Sequence, residues 1–320
     1  MPTGFRPWEV ASDADFQDRT LSELYVLQVH PPVIMAFNTD NGAVRTIIDA
    51  VGAPDGIQVD SAANAIYWTC MGALPVSGEG FFDNDGKIEK CHLDGSGHSV
   101  IADDRQIVTP KQLQLDREED FLYWCDREGM AIFRCRTNGS EITELFRSGN
   151  YPEDMDDASR HCVGIAVDKN NRYLYWTQKG PAKGGMGRIL RMSLDIPQGV
   201  DTSNRNDVVV MLDHLPEPID LEIDHRRAQI YWTDRGDTAH GGNSVNRADI
   251  TPEGLCNHQV LATGLDEGIG LALDVVQRRL FVGDLSGTLR SMSMDSGELS
   301  IVHRFEGPIT GLCFDSVLEL

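Results

Sequence analysis

The sequence predicts an all-β fold: a six-bladed β-propeller with four antiparallel strands in each blade. Three observations carry the prediction. One strand–turn–strand pattern recurs at a nearly constant spacing. Each copy holds about four short strands separated by Gly, Asp and Asn turns. The last copy is divided between the two ends of the chain.

The recurring pattern is an apolar run ending in Asp, followed seven residues later by an aromatic-led strand. It begins with GIQVD ending at Asp60 and Tyr67-Trp68-Thr69, then LQLD ending at Asp116 and Tyr123-Trp124-Cys125-Asp126. The third copy pairs Asp168 with Tyr175-Trp176-Thr177, and the fourth pairs Asp224 with Tyr231-Trp232-Thr233-Asp234. The fifth pairs Asp274 with Phe281-Val282-Gly283-Asp284. Four of the five tryptophans in the chain occupy this one position.

The second copy shows the strands most clearly, at 111–116, 121–125, 131–137 and 142–146, with Asn138-Gly139-Ser140 as a hairpin turn. Four antiparallel strands at this period make a propeller blade, whose faces are hidden against its neighbours around a ring. A sixth first half, Ile309–Asp315, lies near the C-terminus, and its missing strands lie at residues 24–48. Joining them closes the ring and removes the open ends of a linear array. The expected organisation is therefore a tail at 1–23 and one propeller at 24–320.

Composition narrows the function. The net charge of −22 repels phosphate backbones and anionic headgroups, so neither nucleic acid nor membrane is an expected partner. No apolar run approaches the roughly 18 residues of a membrane-spanning helix. The first residues lack the apolar core and cleavage site of a secretory signal. The seven cysteines include no CxxC or zinc spacing and several sit in apolar runs, so they read as buried reduced thiols in a cytoplasmic protein.

Tyr-Trp-Thr-Asp after an apolar strand ending in Asp resembles the six-bladed propellers of the low-density-lipoprotein-receptor type, over nearly the whole chain. The sequence departs from that pattern at Thr69-Cys70, Cys125, Gln178 and Phe281-Val282-Gly283. Without cysteine-rich flanks or a signal peptide, it is more similar to small stand-alone propellers of fungal secondary metabolism. Among these are hetero-Diels–Alder cyclases that join a tropolone-type quinone methide to a humulene-type sesquiterpene. The resemblance implies a cofactor-independent cyclase with hydrophobic small-molecule substrates and no metal.

A catalytic group is needed once, so the recurring Tyr, Trp, Thr and Asp are read as architecture. The aromatics supply packing area between blades, and the polar pair is expected to hydrogen-bond to the adjacent blade. Chemistry is sought where the repeat breaks. Four long segments, 69–86, 147–161, 178–187 and 234–243, fall on one predicted face and carry Met71, Phe81, Phe82, Tyr151 and His240. An apolar cap over a polar channel suits a hydrophobic ligand with a few oriented oxygens.

Residues just before the inner strands are expected to face the channel mouth, and they vary between blades: Asp55, Lys111, Gln112, His161, Asp220, Glu267 and Thr310. Lys111, His161 and Gln112 are the catalytic candidates. His161 titrates near neutrality and Lys111 donates to a developing oxyanion. Asp55, Asp220, Glu267 and Thr310, with the loop residues and Arg127, are the expected ligand contacts. Two other readings stand beside the cyclase. One is a metal-dependent lactonase or esterase using Asp55, Asp220 and Glu267, and the other is a non-catalytic binding module.

Overall fold

The computed structural model describes residues 23–49, 52–74, 84–103, 107–295 and 297–315. These form six four-stranded antiparallel sheets arranged as blades. Blade one contains β4 (Pro54–Asp60), β5 (Ala65–Cys70), β6 (Lys87–Cys91) and β7 (Ser99–Ala102). Blade two contains β8 (Pro110–Asp116), β9 (Phe121–Asp126), β10 (Ala131–Arg136) and β11 (Thr143–Arg147). Blade three runs from β12 (Cys162–Asp168) and β13 (Tyr173–Gln178) to β14 (Gly187–Ser193) and β15 (Val209–Leu215).

Blade four has β16 (Pro218–Asp224), β17 (Gln229–Asp234), β18 (Ser244–Ile250) and β19 (Leu255–Thr263). Blade five has β20 (Gly268–Asp274), β21 (Arg279–Asp284), β22 (Thr288–Ser293) and β23 (Leu299–Arg304). Blade six joins β24 (Ile309–Phe314) to β1 (Glu23–Val29), β2 (Pro32–Asn38) and β3 (Val44–Ile48). Its seam pairs Leu24 with Phe314, Tyr25 with Cys313 and Val26 with Leu312. The ring therefore closes through the two distant segments, as the divided repeat predicts. The expected tail lies outside the described residues, Glu23 excepted.

Side chains of a strand alternate between its two faces, and the motif uses that alternation. Trp176 packs with Tyr123, Cys125 and Ile132 of blade two, whereas Tyr175 packs with Leu221, Ile230 and Trp232 of blade four. The same division holds around the ring, with Trp68, Trp124 and Trp232 facing the preceding blade and Tyr67, Tyr123 and Tyr231 the following one. All four tryptophans are fully buried. Each aromatic pair fills two interfaces at once.

The polar half of the motif divides its work differently from the expectation. Thr69 Oγ1 accepts from Gly56 N–H and donates to the Lys111 carbonyl of the next blade, each at 2.8 Å. Thr177 and Thr233 donate in the same way to the Ile219 and Ile269 carbonyls. The aspartates instead bind their own blade. Asp126 accepts from Val108 and Thr109 N–H, and Asp234 from Glu217 N–H, fixing the segment that leads into the inner strand. Threonine thus joins blades, and in blades two and four aspartate fixes the segment that leads into the inner strand.

Inner strands approach one another closely around the channel. A Cβ on Gly164 would lie 1.9 Å from the Ile219 carbonyl oxygen, and one on Gly311 would lie 2.2 Å from that of Asp55. Glycine is required there because the neighbouring backbone occupies the space. Six of the seven cysteines are buried thiols, while Cys256 is exposed. Among the described residues, no helix is long and apolar enough to cross a membrane.

Candidate functional site

The strand register generates the site. The fifth residue before each anchor aspartate is the second residue of an inner strand, and all six such residues line one cavity of about 190 Å³ at the channel mouth. In blade order they are Asp55, Lys111, Val163, Ile219, Ile269 and Thr310. The ring has two chemically distinct halves. Blades six, one and two present Thr310, Asp55 and Lys111, while blades three, four and five present Val163, Ile219 and Ile269. The three aliphatic side chains cluster with one another and with Leu285.

A second ring lies at the residue directly after each second strand: His30, Met71, Arg127, Lys179, Arg235 and Leu285. The aspartate that ends β9 or β17 anchors the segment beside it, so Arg127 and Arg235 leave their strands at fixed positions. Arg127 N–H also donates to the Thr109 carbonyl, and Arg235 N–H to that of Glu217.

The polar half is fully interlinked. Lys111 Nζ makes a short charged hydrogen bond to Asp55 Oδ2 and a 3.0 Å contact to Met71 Sδ. Gln112 Nε2 donates to Asp55 Oδ1 and to the Thr310 carbonyl, both at 3.1 Å. Thr310 Oγ1 donates to the Pro54 carbonyl at 2.8 Å. Burial pushes the Asp55 carboxyl up and the Lys111 ammonium down, and each charge partly restores the other.

Asp220 lies one residue further along its strand. Its two oxygens accept from Leu221 and Leu271 N–H, each at 2.9 Å. Burial nevertheless pushes this carboxyl up to about 8. At the other end, Gln114 Nε2 reaches across to Glu222 Oε1 at 3.0 Å, within a separate polar pocket.

The structure gathers Asp55, Met71, Lys111, Arg127 and Thr310 onto the cavity wall, with Gln112 bonded to Asp55 behind them. His161 is elsewhere. It follows the 3-10 turn 158–160, its Nε2 meets the Met155 carbonyl at 2.8 Å, and it does not line the cavity. Burial lowers its pKa. Tyr151 belongs to the same outer segment and does not line the cavity. His240 is exposed and paired with Asp237, and Glu267 stands beyond the wall, 3.8 Å from Arg235. Phe81 and Phe82 lie outside the described residues.

His30, Val163, Lys179, Ile219, Arg235, Ile269 and Leu285 were not among the candidates taken from the sequence. The signal that finds them is positional: the fifth residue before each anchor aspartate and the residue after each aromatic motif.

The proposed metal donors do not converge. Asp55 is committed to Lys111 and Gln112, Asp220 to two backbone amides, and Glu267 stands at the rim. Among the described residues no group of three His, Cys, Asp or Glu side chains is placed to hold a metal ion.

No family model matches the chain. It is similar to a Pyricularia oryzae protein named low-density lipoprotein receptor-related protein 1, with 41% identity over 87% of this chain and 91% of that one. A Cochliobolus heterostrophus protein named 3-hydroxyacyl-CoA dehydrogenase-like protein LAM1 is 33% identical over 87% of this chain, which spans 60% of that protein. Among solved structures, a chain of the nidogen/laminin complex superposes with a TM-score of 0.69 at 17% identity, covering 91% of this chain and 97% of that one. With its repeated Tyr-Trp-Thr-Asp register, its closed six-blade ring and these relatives, the chain belongs to the YWTD, low-density-lipoprotein-receptor-type, family of β-propellers.

Proposed function

We propose that this propeller is a cofactor-independent cyclase. In this reading it joins two hydrophobic small molecules in a Diels–Alder or hetero-Diels–Alder cycloaddition within secondary metabolism. One partner is a quinone methide of tropolone or polyketide type, and the other a humulene-type sesquiterpene. The division of the inner ring into a polar and an aliphatic half carries the reading, because it suits a flat ring with oxygens along one edge. At about 190 Å³ the cavity exceeds the ~150 Å³ that holds benzene, so one ring fits inside. The bulkier alkene partner then lies above it, against the rim.

The chain's residues divide the work. Val163, Ile219 and Ile269 seat the ring and exclude water. Lys111 has three N–H groups, two of them committed to Asp55 and Met71, which leaves a third for the quinone-methide oxygen. Donation there stabilises the transition state, in which charge builds on that oxygen. Gln112 orients Asp55, which in turn orients Lys111. Holding the diene beside the alkene converts a bimolecular encounter into an effectively unimolecular step.

Incubating the protein with both partners is expected to accelerate cycloadduct formation and to bias its stereochemistry relative to the spontaneous reaction. An identical rate and diastereomer ratio with and without protein removes the reading. The receptor-related name of the Pyricularia relative favours a second one, a binding module without chemistry. That reading predicts saturable ligand binding with no rate enhancement.

A further inference from the structure

We infer that the cavity recognises its ligand through an oxyanion, a carboxylate or an ionised enol, held by the arc of Arg127, Lys179 and Arg235. The inference rests on the small-molecule reading of the same cavity and names the chemical class of the molecule that enters it.

The three cations come from consecutive blades and line the cavity on the side of Val163 and Ile219. A ring lying on the aliphatic wall therefore turns its edge toward them. Buried carboxylates hold them in place. Glu128 accepts from Arg127 Nε at 2.5 Å, and Glu217 Oε1 accepts from Arg235 Nε and Nη2 at 3.0 and 2.7 Å. Both glutamates are almost completely buried.

This grip uses only part of each cation. Among the described residues, Arg127 Nη1 and Nη2 and Arg235 Nη1 have no hydrogen-bond partner. Glu267 approaches Arg235 Nη1 only to 3.8 Å and is itself 39% exposed, so water screens it. Lys179 Nζ reaches Glu217 at 3.4 Å and the Gly180 carbonyl at 3.2 Å. Three cations thus share two buried carboxylates.

Guanidinium forks match the paired oxygens of a carboxylate or of an enolate with an adjacent carbonyl. The wider protein, with 50 acidic against 28 basic Lys and Arg side chains, repels anions at long range. An anionic ligand therefore needs a local cradle of this kind. Mutual repulsion within the arc adds to the preference, since an incoming oxyanion relieves it.

The test compares three ring-sized probes by calorimetry near neutral pH: tropolone as the ionised enol, benzoate as the carboxylate, and tropone as the neutral isostere. At least one anion is expected to bind about tenfold or more tighter than tropone, with an advantage that shrinks as salt is raised. Tropolone ahead of benzoate identifies the enolate, and the reverse order the carboxylate. Arg127→Lys and Arg235→Lys keep the charge but lose the fork, and are expected to weaken the anion about tenfold while leaving tropone unchanged. Tropone binding as tightly as both anions, or no binding by any probe, overturns the inference. The wild-type comparison decides this even if a variant fails to fold. Cycloadduct formation is scored separately: acceleration without anion preference removes this inference alone, and anion preference without acceleration removes the cyclase alone.

Discussion

Replacing Lys111 alone by Met is expected to destabilise the protein by about 3–5 kcal/mol, whereas Asp55→Asn with Lys111→Met is expected to fold with little loss. Asp55 is 1% exposed and Lys111 9%, so both charges are largely withdrawn from bulk water. Removing the ammonium strands a carboxylate whose remaining side-chain donor is Gln112. Removing both charges leaves an amide that still accepts from Gln112 Nε2 through Oδ1, beside a thioether of similar length. Denaturant unfolding of the two single variants and the double reads the coupling directly. Additive effects would show that the pair is not the buried unit described above.

Stability is also expected to fall as pH rises from about 5 to about 8, against the usual trend for soluble proteins. Burial raises three carboxyls: Asp126 to about 6, Asp234 to about 7 and Asp220 to about 8. In the unfolded chain each ionises near pH 4, so between pH 4 and its native value the folded state holds one more proton. Each such group removes about 1.4 kcal/mol of stability per pH unit across that window, and the loss ends above its native pKa. The opposite set limits the acid side. Asp195 and Asp295, lowered by hydrogen bonds from Arg172 and Arg278, contribute stability that is lost as pH falls below their unfolded values. Thermal denaturation across this range should therefore show a maximum on the acidic side of neutrality. Asp220→Asn, which carries no charge at any pH, should flatten the decline up to pH 8. A midpoint that rises from pH 5 to 8 in the wild type contradicts the assignment.

The fold was legible in the sequence because packing repeats. Each blade needs one residue for the interface before it and one for the interface after it, and Tyr-Trp supplies both. The blade-two strands expected at 111–116, 121–125, 131–137 and 142–146 are found within one residue of those bounds. Blade six was legible despite its division because Ile309–Asp315 repeats the inner-strand pattern.

The site was only partly legible, and the reason is strand geometry. A shift of one residue turns a side chain to the opposite face. Asp55, Lys111 and Thr310 share one register, but His161 and Glu267 lie two residues before the equivalent position and Gln112 and Asp220 one residue after it. Gln112 and Asp220 therefore do not line the cavity, whereas His161 and Glu267 precede their inner strands altogether, and His161 meets the Met155 carbonyl. Val163, Ile219 and Ile269 do not stand out in the sequence, because an aliphatic residue in a strand reads as core. Here the strand faces a channel, and the same side chain becomes a ligand wall. Lys179 and Arg235 do not stand out either, because charged residues after a strand read as solvated turns, whereas buried Glu217 binds both.

The most direct measurement is the rate of cycloadduct formation by wild type and by the Asp55→Asn/Lys111→Met double variant, with folding checked on the same samples. The expected result is a folded double variant whose rate falls about 100-fold or more, since it keeps the ring-seating wall and loses the donor aimed at the developing charge. A double variant that is folded and as fast as wild type, or a wild type no faster than the uncatalysed reaction, contradicts the claim that this cavity performs the chemistry.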